Sequence, residues 1–461
     1  MEYISIVMFV VVCVVLLFGY PVAFSLAGTA LLFAGVGSLF DAFDLAFLGA
    51  FPSRVFGLIN NQTLLAVPLF IFMGSMLERS NIADNLLNAM SFVFGRFNGG
   101  LAISVTLVGM LLAASTGIVG ATVVTMGLLS LPTMLKRGYS ASFSSGLICA
   151  TGTLGQIIPP SIALVLLGDV LSSAYQKSQL TMGIFNPKTV TVGDLFAGAV
   201  IPGMILVGFY LLYCIAMAVF KPQSVPKLSA KDLAEISGDQ STFKLMLTAL
   251  LPPLLLMFIV LGSILFGFAT PTEAAGIGAM GATLLAVWQK RLTPKNLTAV
   301  IRNTTKITSM VFLILIGASL FSLVFRGFGG EELIQGVFEQ MPGGVIGATL
   351  VVMLLIFFLG FILDFIEITF VVVPIVAPIL LAMGLDPIWL GIMIAINLQT
   401  SFLTPPFGFA LFYLRGVADK AIRTADIYRG VLPFIVMQLI LMITLAVWPA
   451  LITWLPSFIY G

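Results

Sequence analysis

Two short segments decide the fold: Gly155-Gln156-Ile157-Ile158-Pro159-Pro160-Ser161 and Ser401-Phe402-Leu403-Thr404-Pro405-Pro406-Phe407. Each places a double proline inside a long apolar run, and Pro405 follows Pro159 by 246 positions (405 minus 159). Proline lacks a backbone N–H and clashes with the preceding helical turn, so a regular helix does not continue through either pair. The sequence therefore predicts two helices that are interrupted at matching positions.

Two further landmarks repeat in the same order along the chain. Pro378 follows Pro132 by the same 246 positions, and Gly343-Gly344 follows Gly99-Gly100 by 244 positions (343 minus 99). Three matched landmarks in one order indicate an internal repeat.

Each half of the repeat consists of two interrupted apolar elements. In the first half they span residues 99–135, with a small polar break at Ser115-Thr116-Gly117, and residues 141–171. In the second half they span residues 343–383, with a break at 360–367, and residues 387–414.

Composition sets the class of protein. The chain has 461 residues, of which 60% are hydrophobic and 9% are charged, whereas soluble domains are about a quarter charged. Recurring apolar runs approach the roughly 20 residues that a spanning helix needs. We predict an all-α polytopic membrane protein. A net charge of +2 does not favour nucleic acid, and the lack of histidine removes the commonest general base, so we do not predict an enzyme.

Basic residues predict the orientation, because short cytoplasmic loops are enriched in Lys and Arg. Arg96 and Lys136-Arg137 flank the first folded-back element, so both of its ends are predicted to be cytoplasmic, as in a re-entrant hairpin. No Lys or Arg lies between Arg326 and Arg415, so the second hairpin is predicted to enter from the other side. The two halves are thus predicted to have inverted topology, with the C-terminus on the non-cytoplasmic side.

Inverted repeats with paired broken helices are typical of secondary transporters, whose substrate and ions meet near the middle of the bilayer. Freed carbonyls and helix C-terminal ends suit a cation, whereas helix N-termini suit an anionic substrate. The alternative reading, in which each double proline is a structural kink without a bound ion, stays open at this stage.

This interpretation divides one membrane domain into a scaffold and a moving transport domain. The predicted segments are scaffold helices at 1–95, the first transport repeat at 96–194, scaffold helices at 195–342 with a cytoplasmic loop at 221–244, the second transport repeat at 343–416, and a cytoplasmic loop with the last helix at 417–461.

Polar side chains at the breaks are candidate ligands. Ser115, Thr116 and Thr404 offer hydroxyl oxygens, which hard cations prefer, although such hydroxyls also commonly bond back to their own helical turn. Asp364 and Glu367 lie inside the second hairpin, where an ionisable residue is costly and by default functional. A proton relay, a counter-charge for a cation, exposure to a water-filled cleft and a structural role all remain open for them.

The chain resembles the large membrane subunit of the tripartite ATP-independent periplasmic (TRAP) transporters, the DctM or SiaM type. The residues that carry the resemblance are Gly155–Ser161, Leu403-Thr404-Pro405-Pro406-Phe407-Gly408, Thr270-Pro271-Thr272-Glu273-Ala274-Ala275 and Leu135-Lys136-Arg137-Gly138-Tyr139. The resemblance covers essentially the whole chain.

The resemblance implies an elevator-type, sodium-coupled importer of a small carboxylate in a bacterial inner membrane, surrounded by lipid. It also implies a small four-helix membrane subunit of the DctQ type and a periplasmic substrate-binding protein of the DctP type. A proton-coupled carrier that uses Asp364 and Glu367 is the alternative. Dicarboxylates, sialic acid, 2-oxo acids and other organic acids all remain open as substrates.

The resemblance further implies site residues. One sodium site would use Ser115, Thr116, Gly155, Ile158 and Pro160, and its counterpart would use Gly360, Ser401, Thr404 and Phe407. The carboxylate would bind between them, near Ser115, Thr116, Gln156, Asp364, Glu367 and Thr404.

Two features depart from the commonest form of the family. The first hairpin tip reads Ser115-Thr116-Gly117-Ile118 where Ser-Gly-Ser is usual, which leaves the register of the side-chain ligands open. Glu367 stands close to Asp364, which points to a subgroup with a different substrate.

Overall fold

The computed structural model describes residues 3–80, 82–229, 247 and 250–461, and every regular element within these ranges is helical. Most of the predicted loop at 221–244 lies outside the described residues. Among the described helices, six are long and apolar enough to cross a membrane, or seven if the pair Leu45–Ile59 and Thr63–Arg79, bent by 55°, is one span.

The first five helices precede the repeat. They are α1 (Ile4–Leu17), α2 (Val22–Leu39), α3 (Phe51–Ile59), α4 (Ala66–Arg79) and α5 (Ile82–Phe94).

The first repeat contains four helices: α6 (Gly100–Thr116), α7 (Val119–Lys136), α8 (Ala141–Thr153) and α9 (Ile162–Thr181). The interruptions fall at the tip of the hairpin and at the double proline, as the sequence predicts. Helix α9 ends at Thr181 rather than at 171. The prediction followed the apolar run, whereas the last ten residues of the helix are mostly polar. At 1.5 Å per residue, α8 is only about 20 Å long and does not cross a bilayer core alone.

Between the repeats, the described residues form five helices: α10 (Val192–Phe220), α11 (Leu251–Leu265), α12 (Pro271–Trp288), α13 (Pro294–Gly327) and α14 (Gly330–Glu339). Helix α12 begins where Thr270 and Glu273 form a reciprocal capping box. The Thr-Pro-Thr-Glu motif therefore acts as a helix start.

The second repeat again contains four helices, and two more follow it. They are α15 (Gly344–Leu359), α16 (Phe365–Ala382), α17 (Pro387–Leu403), α18 (Phe409–Val417), α19 (Thr424–Val447) and α20 (Ala450–Tyr460). Helix α16 includes a π-helical turn at Ile368–Val372, directly after Glu367.

The helices pack in two groups. Helices α2, α4, α12 and α13 pack on one another, and the lack of a side chain at Gly317 brings α13 against the Ala23 backbone of α2. Helices α8, α10, α17 and α19 form the second group. There Gly146 of α8 and Gly430 of α19 let two backbones touch, since a Cβ on Gly146 would lie 2.0 Å from the Gly430 carbonyl oxygen.

The outside of the bundle is apolar. Large hydrophobic side chains such as Phe220, Phe268 and Leu39 are more than four-fifths exposed. An aqueous surface does not carry so much exposed apolar area, whereas hydrocarbon solvates it. The protein is therefore a multi-pass membrane protein.

Candidate functional site

The first hairpin turns at a glycine that no other residue replaces without strain. Gly117 adopts φ +61°, and a Cβ there would lie 2.8 Å from the backbone nitrogen of Ile162. The hairpin tip consequently lies directly against the start of α9. Ile118, in extended conformation, then leads into α7.

Ser115 and Thr116, at the end of α6, are buried at this tip. Both hydroxyls donate to the Leu112 carbonyl, at 2.9 and 3.0 Å, and Thr116 Oγ1 also lies 2.6 Å from Thr122 Oγ1. A hydroxyl that donates its proton keeps lone pairs for a cation. Bonding back to the helix is thus the observed state of both side chains and leaves their oxygens usable as ligands.

The first double-proline break is completely enclosed, because all residues from Thr151 to Val170 except Asp169 are buried. A Cβ on Gly155 would lie 3.0 Å from the Ala113 carbonyl oxygen, so the break touches the last turn of α6, two residues before Ser115. The structure therefore brings Ser115, Thr116 and Gly155 together; Ile158 and Pro160 lie in the same buried break.

The second break has the corresponding contacts. Ser401 Oγ donates to the Phe357 carbonyl at 2.7 Å, and a Cβ on Gly360 would lie 2.5 Å from Ser401 Oγ. The Phe407 ring packs on Phe361 with centroids 6.2 Å apart. The structure thus brings Gly360, Ser401 and Phe407 together. Unlike the first break, this one is partly open, and Phe407 is 54% exposed.

Thr404 begins the open part of the second break. Its hydroxyl donates to the Thr400 carbonyl at 2.7 Å, and its own carbonyl accepts from Gly408 N–H at 3.0 Å. As at Ser115 and Thr116, the hydroxyl lone pairs remain available.

The two halves share contact pairs as well as helix order. Gly155 lies against Ala113 in the first half, and Ser401 bonds to Phe357 in the second. Ser401 follows Gly155 by 246 positions and Phe357 follows Ala113 by 244, the two offsets that relate the sequence landmarks.

A second pair of contacts follows the same offsets. Gly109 packs against Thr151 in the first half, and the Met353 carbonyl accepts from Asn397 at 2.7 Å in the second. In each half the same positions of the hairpin therefore meet the same positions of the broken helix.

Asp364 and Glu367 cap the start of α16. Asp364 Oδ1 accepts from Phe365 N–H at 2.6 Å, and Glu367 Oε2 accepts from Asp364 N–H at 2.9 Å. Together they form a reciprocal capping box, for which the spacing Asp-x-x-Glu is the sequence signal. A structural role for both carboxylates is therefore present, whatever else they do.

A cavity of about 60 Å³, which we call the central cavity, lies where both hairpin tips meet both breaks. Its lining residues are Gly117, Ile118, Val119, Gly120, Gln156, Ile162, Ala163, Leu166, Asp364, Phe365, Ile366, Phe402, Phe409 and Tyr413. A water needs about 10–15 Å³ by this measure, so the space accepts a few waters or one small polar group.

Four helices point their N-termini into the central cavity: α7, α9, α16 and α18 begin at Val119, Ile162, Phe365 and Phe409, and all four of these residues line it. Helix N-termini carry partial positive charge and free N–H groups, so they bind anions. Capping by Asp364 already satisfies one N–H of α16, and Ser161 Oγ accepts from one N–H of α9 at 3.4 Å. The remaining backbone N–H groups at these four helix starts suit an anionic group.

Gln156 is the polar side chain with most to offer a ligand. It is 2% exposed and lines the central cavity, and neither its Nε2 nor its Oε1 has a hydrogen-bond partner among the described residues. Burying an amide without partners is unfavourable by about 1–3 kcal/mol. A bound polar group or water in the cavity would supply the missing partner.

The structure sorts the predicted substrate residues. Gln156 and Asp364 line the central cavity, whereas the lining does not include Ser115, Thr116, Thr404 or Glu367. Sequence reasoning missed Tyr413, whose ring a Cβ on Gly120 would approach to 2.9 Å. The available signal was a lone phenol among apolar residues in the short helix after the second double proline.

Comparison with known proteins places the chain in a family. Residues 9–451 match the model of the family described as "Tripartite ATP-independent periplasmic transporter, DctM component". The C4-dicarboxylate TRAP transporter large permease DctM of Vibrio cholerae is 30% identical, with 98% of each chain covered. The sialic acid large permease SiaM of the same species is 29% identical (96% of each chain), and the ectoine large permease TeaC of Halomonas elongata is 28% identical (94% of each chain).

The fold is also found in a solved structure. The YdaH transporter of Alcanivorax borkumensis superposes with a TM-score of 0.58, at 14% identity, over 87% of each chain. At this identity the likeness concerns the fold alone. The family match over nearly the whole chain, together with relatives that are permeases, shows that the chain belongs to the DctM family, the large permease component of TRAP transporters.

Proposed function

We propose that the protein is a sodium-coupled secondary importer of a small organic carboxylate, whose carboxylate group binds in the central cavity. The observation that carries the proposal is the convergence of four helix N-termini on a cavity beside the unpartnered amide of Gln156. A carboxylate would accept hydrogen bonds from the free N–H groups and from Gln156. The names of the relatives, which mention C4-dicarboxylates, sialic acid and ectoine, agree with small solutes that carry a carboxylate.

Charge balance supports coupling to a cation. No Lys or Arg within the described ranges lines the central cavity, while the carboxylate of Asp364 does. A carboxylate substrate would therefore add a second negative charge at a place with low dielectric, which is costly without a counter-charge. A sodium ion that binds first would supply that charge and order the breaks, so binding of the cation would raise the affinity for the anion.

The cation sites would lie at the opposite ends of the same interrupted elements. Helices α6 and α15 end at Thr116 and Leu359, directly beside the breaks that contain Gly155 and Ser401. The last carbonyls of a helix lack intrahelical partners and carry partial negative charge, which suits a hard cation. Ser115, Thr116, Ile158 and Pro160 would contribute to the first sodium site.

Gly360, Ser401, Thr404 and Phe407 would contribute to the second sodium site. The matched contact pairs of the two halves support two equivalent sites. The exposure of Phe407 would leave the second site the more accessible of the two in this conformation.

An elevator movement would carry the cavity across the bilayer. The group that contains the broken helices would move against the group formed by α2, α4, α12 and α13. We include α10 and α19 in the moving group, although the sequence division placed α10 largely with the scaffold and α19 in the separate C-terminal segment at 417–461. The backbone contact between Gly146 and Gly430 fixes α19 to α8 too closely for the two to slide apart.

The family description implies two partners, since the transporter is tripartite. We propose a small membrane subunit of the DctQ type and a periplasmic binding protein of the DctP type, in a bacterial inner membrane with the C-terminus on the periplasmic side. The binding protein would deliver the carboxylate to this chain.

Uptake into proteoliposomes tests the proposal. The whole transporter, with its binding protein, would be supplied with labelled succinate or N-acetylneuraminic acid under an inward sodium gradient, and separately under a pH gradient at the same membrane potential. We expect uptake with sodium alone. Uptake with a pH gradient alone, and none with sodium, would overturn sodium coupling.

The same experiment decides on the alternative proton-coupled carrier. One observation favours that alternative, namely that Asp364 lines the cavity and Glu367 is buried beside it. Under this alternative, Glu367→Gln would abolish pH-driven uptake. Under sodium coupling, the same variant keeps sodium activation, since the Gln side chain still accepts from the Asp364 N–H.

A further inference from the structure

A second and larger cavity lies beside the central one. It has a volume of about 410 Å³, and we call it the basic cavity because three of its five charged lining residues are cations. The charged residues are Arg54, Asp169, Lys177, Arg326 and Glu331; the other polar lining includes Asn61, Ser173, Ser319 and Ser322.

The charges of the basic cavity are unequally paired. Glu331 serves two cations at once, since its carboxylate lies 2.7 Å from Lys177 Nζ and 3.0 Å from Arg326 Nη2. Asp169 accepts from the amide of Asn61 at 2.8 Å. Arg54 makes only a long bond of 3.5 Å to the Ser319 carbonyl, and no carboxylate of the described residues lies within ion-pair distance of it.

Arg54 therefore brings a charge without a close counter-ion to a half-buried place. The charge of Arg326 repels its guanidinium, whereas Glu331, which already pairs with Lys177 and Arg326, attracts it from a distance. Two like charges held together at a low-dielectric position raise the free energy of the empty cavity, and an anion between them lowers it. The planar guanidinium binds a carboxylate through two parallel hydrogen bonds.

The basic cavity shares two walls with the central cavity. On α9, Leu166 lines the central cavity and Val170 lines the basic one; on α16, Ile366 lines the central cavity and Phe370 the basic one. The step is four residues on both walls, which corresponds to about 6 Å along a helix. One helical turn thus separates the two cavities on each side.

We propose that the basic cavity is a first docking site for the carboxylate, in which Arg54 and Arg326 hold the anion one helical turn from the central cavity. This inference rests on the proposed function and adds a second binding step to it. Lys177 lies on the side of the membrane that the basic-residue count predicts to be non-cytoplasmic, the side from which an imported anion arrives. The cations also raise the rate at which anions reach the site.

Chemical protection of Arg54 tests the docking site without any need for transport. The purified transporter would be treated with phenylglyoxal, which modifies accessible guanidinium groups, and modification of Arg54 would be followed by mass spectrometry. We expect succinate or N-acetylneuraminic acid, at ten times its Kd, to slow the modification by roughly tenfold, relative to chloride at equal ionic strength. Equal rates with both carboxylates and with chloride would overturn the proposal.

Anionic lipid is the other source of the same chemistry. The protection experiment would be repeated in nanodiscs with and without phosphatidylglycerol. Protection by the lipid and by neither carboxylate would overturn the docking site. Protection by a carboxylate in the absence of anionic lipid would support it.

Uptake kinetics provide the second readout. We expect Arg54→Gln to raise KM by roughly twofold to fivefold, the worth of one partly exposed charge contact, with little change in kcat. Lys188→Gln is the matched control, since it removes a cation of the same predicted side that does not line the basic cavity. If the wild-type transporter takes up the carboxylate with sodium but the carboxylate does not protect Arg54, the docking site is refuted and the proposed function is not. If the carboxylate protects Arg54 but sodium drives no uptake, the docking site is supported and the proposed function is refuted.

Discussion

Gln399 Nε2 donates to Thr153 Oγ1 at 3.4 Å, and the two residues are separated by 246 positions, the same offset that relates the two double prolines. Under the proposed inverted repeat, a residue would contact its own counterpart only near the pseudosymmetry axis. This pair would therefore lie on that axis, between α8 and α17. Both residues are completely buried, in the packed interior beside the breaks.

Thr404→Ala tests the second sodium site. Loss of the hydroxyl oxygen should raise the sodium concentration for half-maximal uptake by about tenfold, or about 1.4 kcal/mol, and weaken assembly less. Thr444→Ala is a close control, because Thr444 makes the same bond to its own turn, at 2.8 Å to the Ile440 carbonyl. Unchanged sodium activation in Thr404→Ala proteoliposomes would remove Thr404 from the site.

Gln156→Leu separates substrate binding from stability. The amide has no partner in the part of the chain that the structure describes, so its removal should keep or slightly raise the thermal unfolding temperature while KM for the carboxylate rises by about tenfold. Gln438→Leu should do the reverse, because its Nε2 donates to Tyr210 at 2.8 Å in the core. An unchanged KM in Gln156→Leu, in protein that folds normally, would show that the amide does not contact substrate.

Gly117→Ala tests the close approach of the first hairpin tip. Alanine at positive φ costs about 1–2 kcal/mol, and its Cβ would also press on the Ile162 nitrogen, so sodium-driven uptake should fall by more than about tenfold. Gly183→Ala is the control for the cost of alanine at positive φ without a steric clash, since Gly183 has φ +80° and a Cβ there would meet no described atom within 4 Å. Equal uptake by the two variants would contradict a functional contact at the tip.

Glu331→Gln tests the bridge between α14 and α9 as a function of pH. Burial alone would raise the pKa of Glu331, but bonds and charge from Lys177 and Arg326 outweigh it and hold the pKa below its usual 4.5. A carboxyl group whose pKa is lower in the folded state than in the unfolded state stabilises the fold at pH values above its unfolded-state pKa. This stabilisation is lost as the pH falls through the folded-state pKa. Above about pH 5.5, wild type should therefore unfold at a higher temperature than Glu331→Gln by a constant margin, which corresponds to less than about 1 kcal/mol. The margin should vanish in more acidic solution.

Glu332→Gln is the control for that series, because Glu332 is the neighbouring exposed carboxylate. Its unfolding temperature should follow that of wild type at every pH. If the difference in unfolding temperature between wild type and Glu331→Gln grows as the pH falls, the pKa of Glu331 is not lowered in the folded state.

The sequence was most informative where backbone chemistry leaves no choice. The double prolines at 159–160 and 405–406 interrupt their helices within a residue or two of the predicted positions, because two adjacent prolines remove two successive N–H groups from the helical hydrogen bonds and clash with the preceding turn. Single prolines such as Pro132 and Pro378 are tolerated inside α7 and α16. The capped start of α12 at Thr270 was predictable for the same kind of local reason.

What the sequence did not predict depends on contacts between distant segments. Gly117, Gly155 and Gly360 let separate elements approach closely around the hairpins and breaks, and one sequence gives no distance between those elements. The packing of α19 on α8 through Gly430 and Gly146 was missed for this reason, as was the position of Tyr413. The basic cavity joins residues as far apart as Arg54 and Arg326, so charge counting along the chain did not reveal it.

A structure of the whole transporter, determined by electron cryo-microscopy with sodium and a transported carboxylate present, tests the central claim most directly. We expect density for the carboxylate among the N-termini at Val119, Ile162, Phe365 and Phe409, with the Gln156 amide in contact. Cation density should lie beside Ser115 and Ser401. A carboxylate bound elsewhere, with water or lipid alone between the four N-termini, would contradict the account.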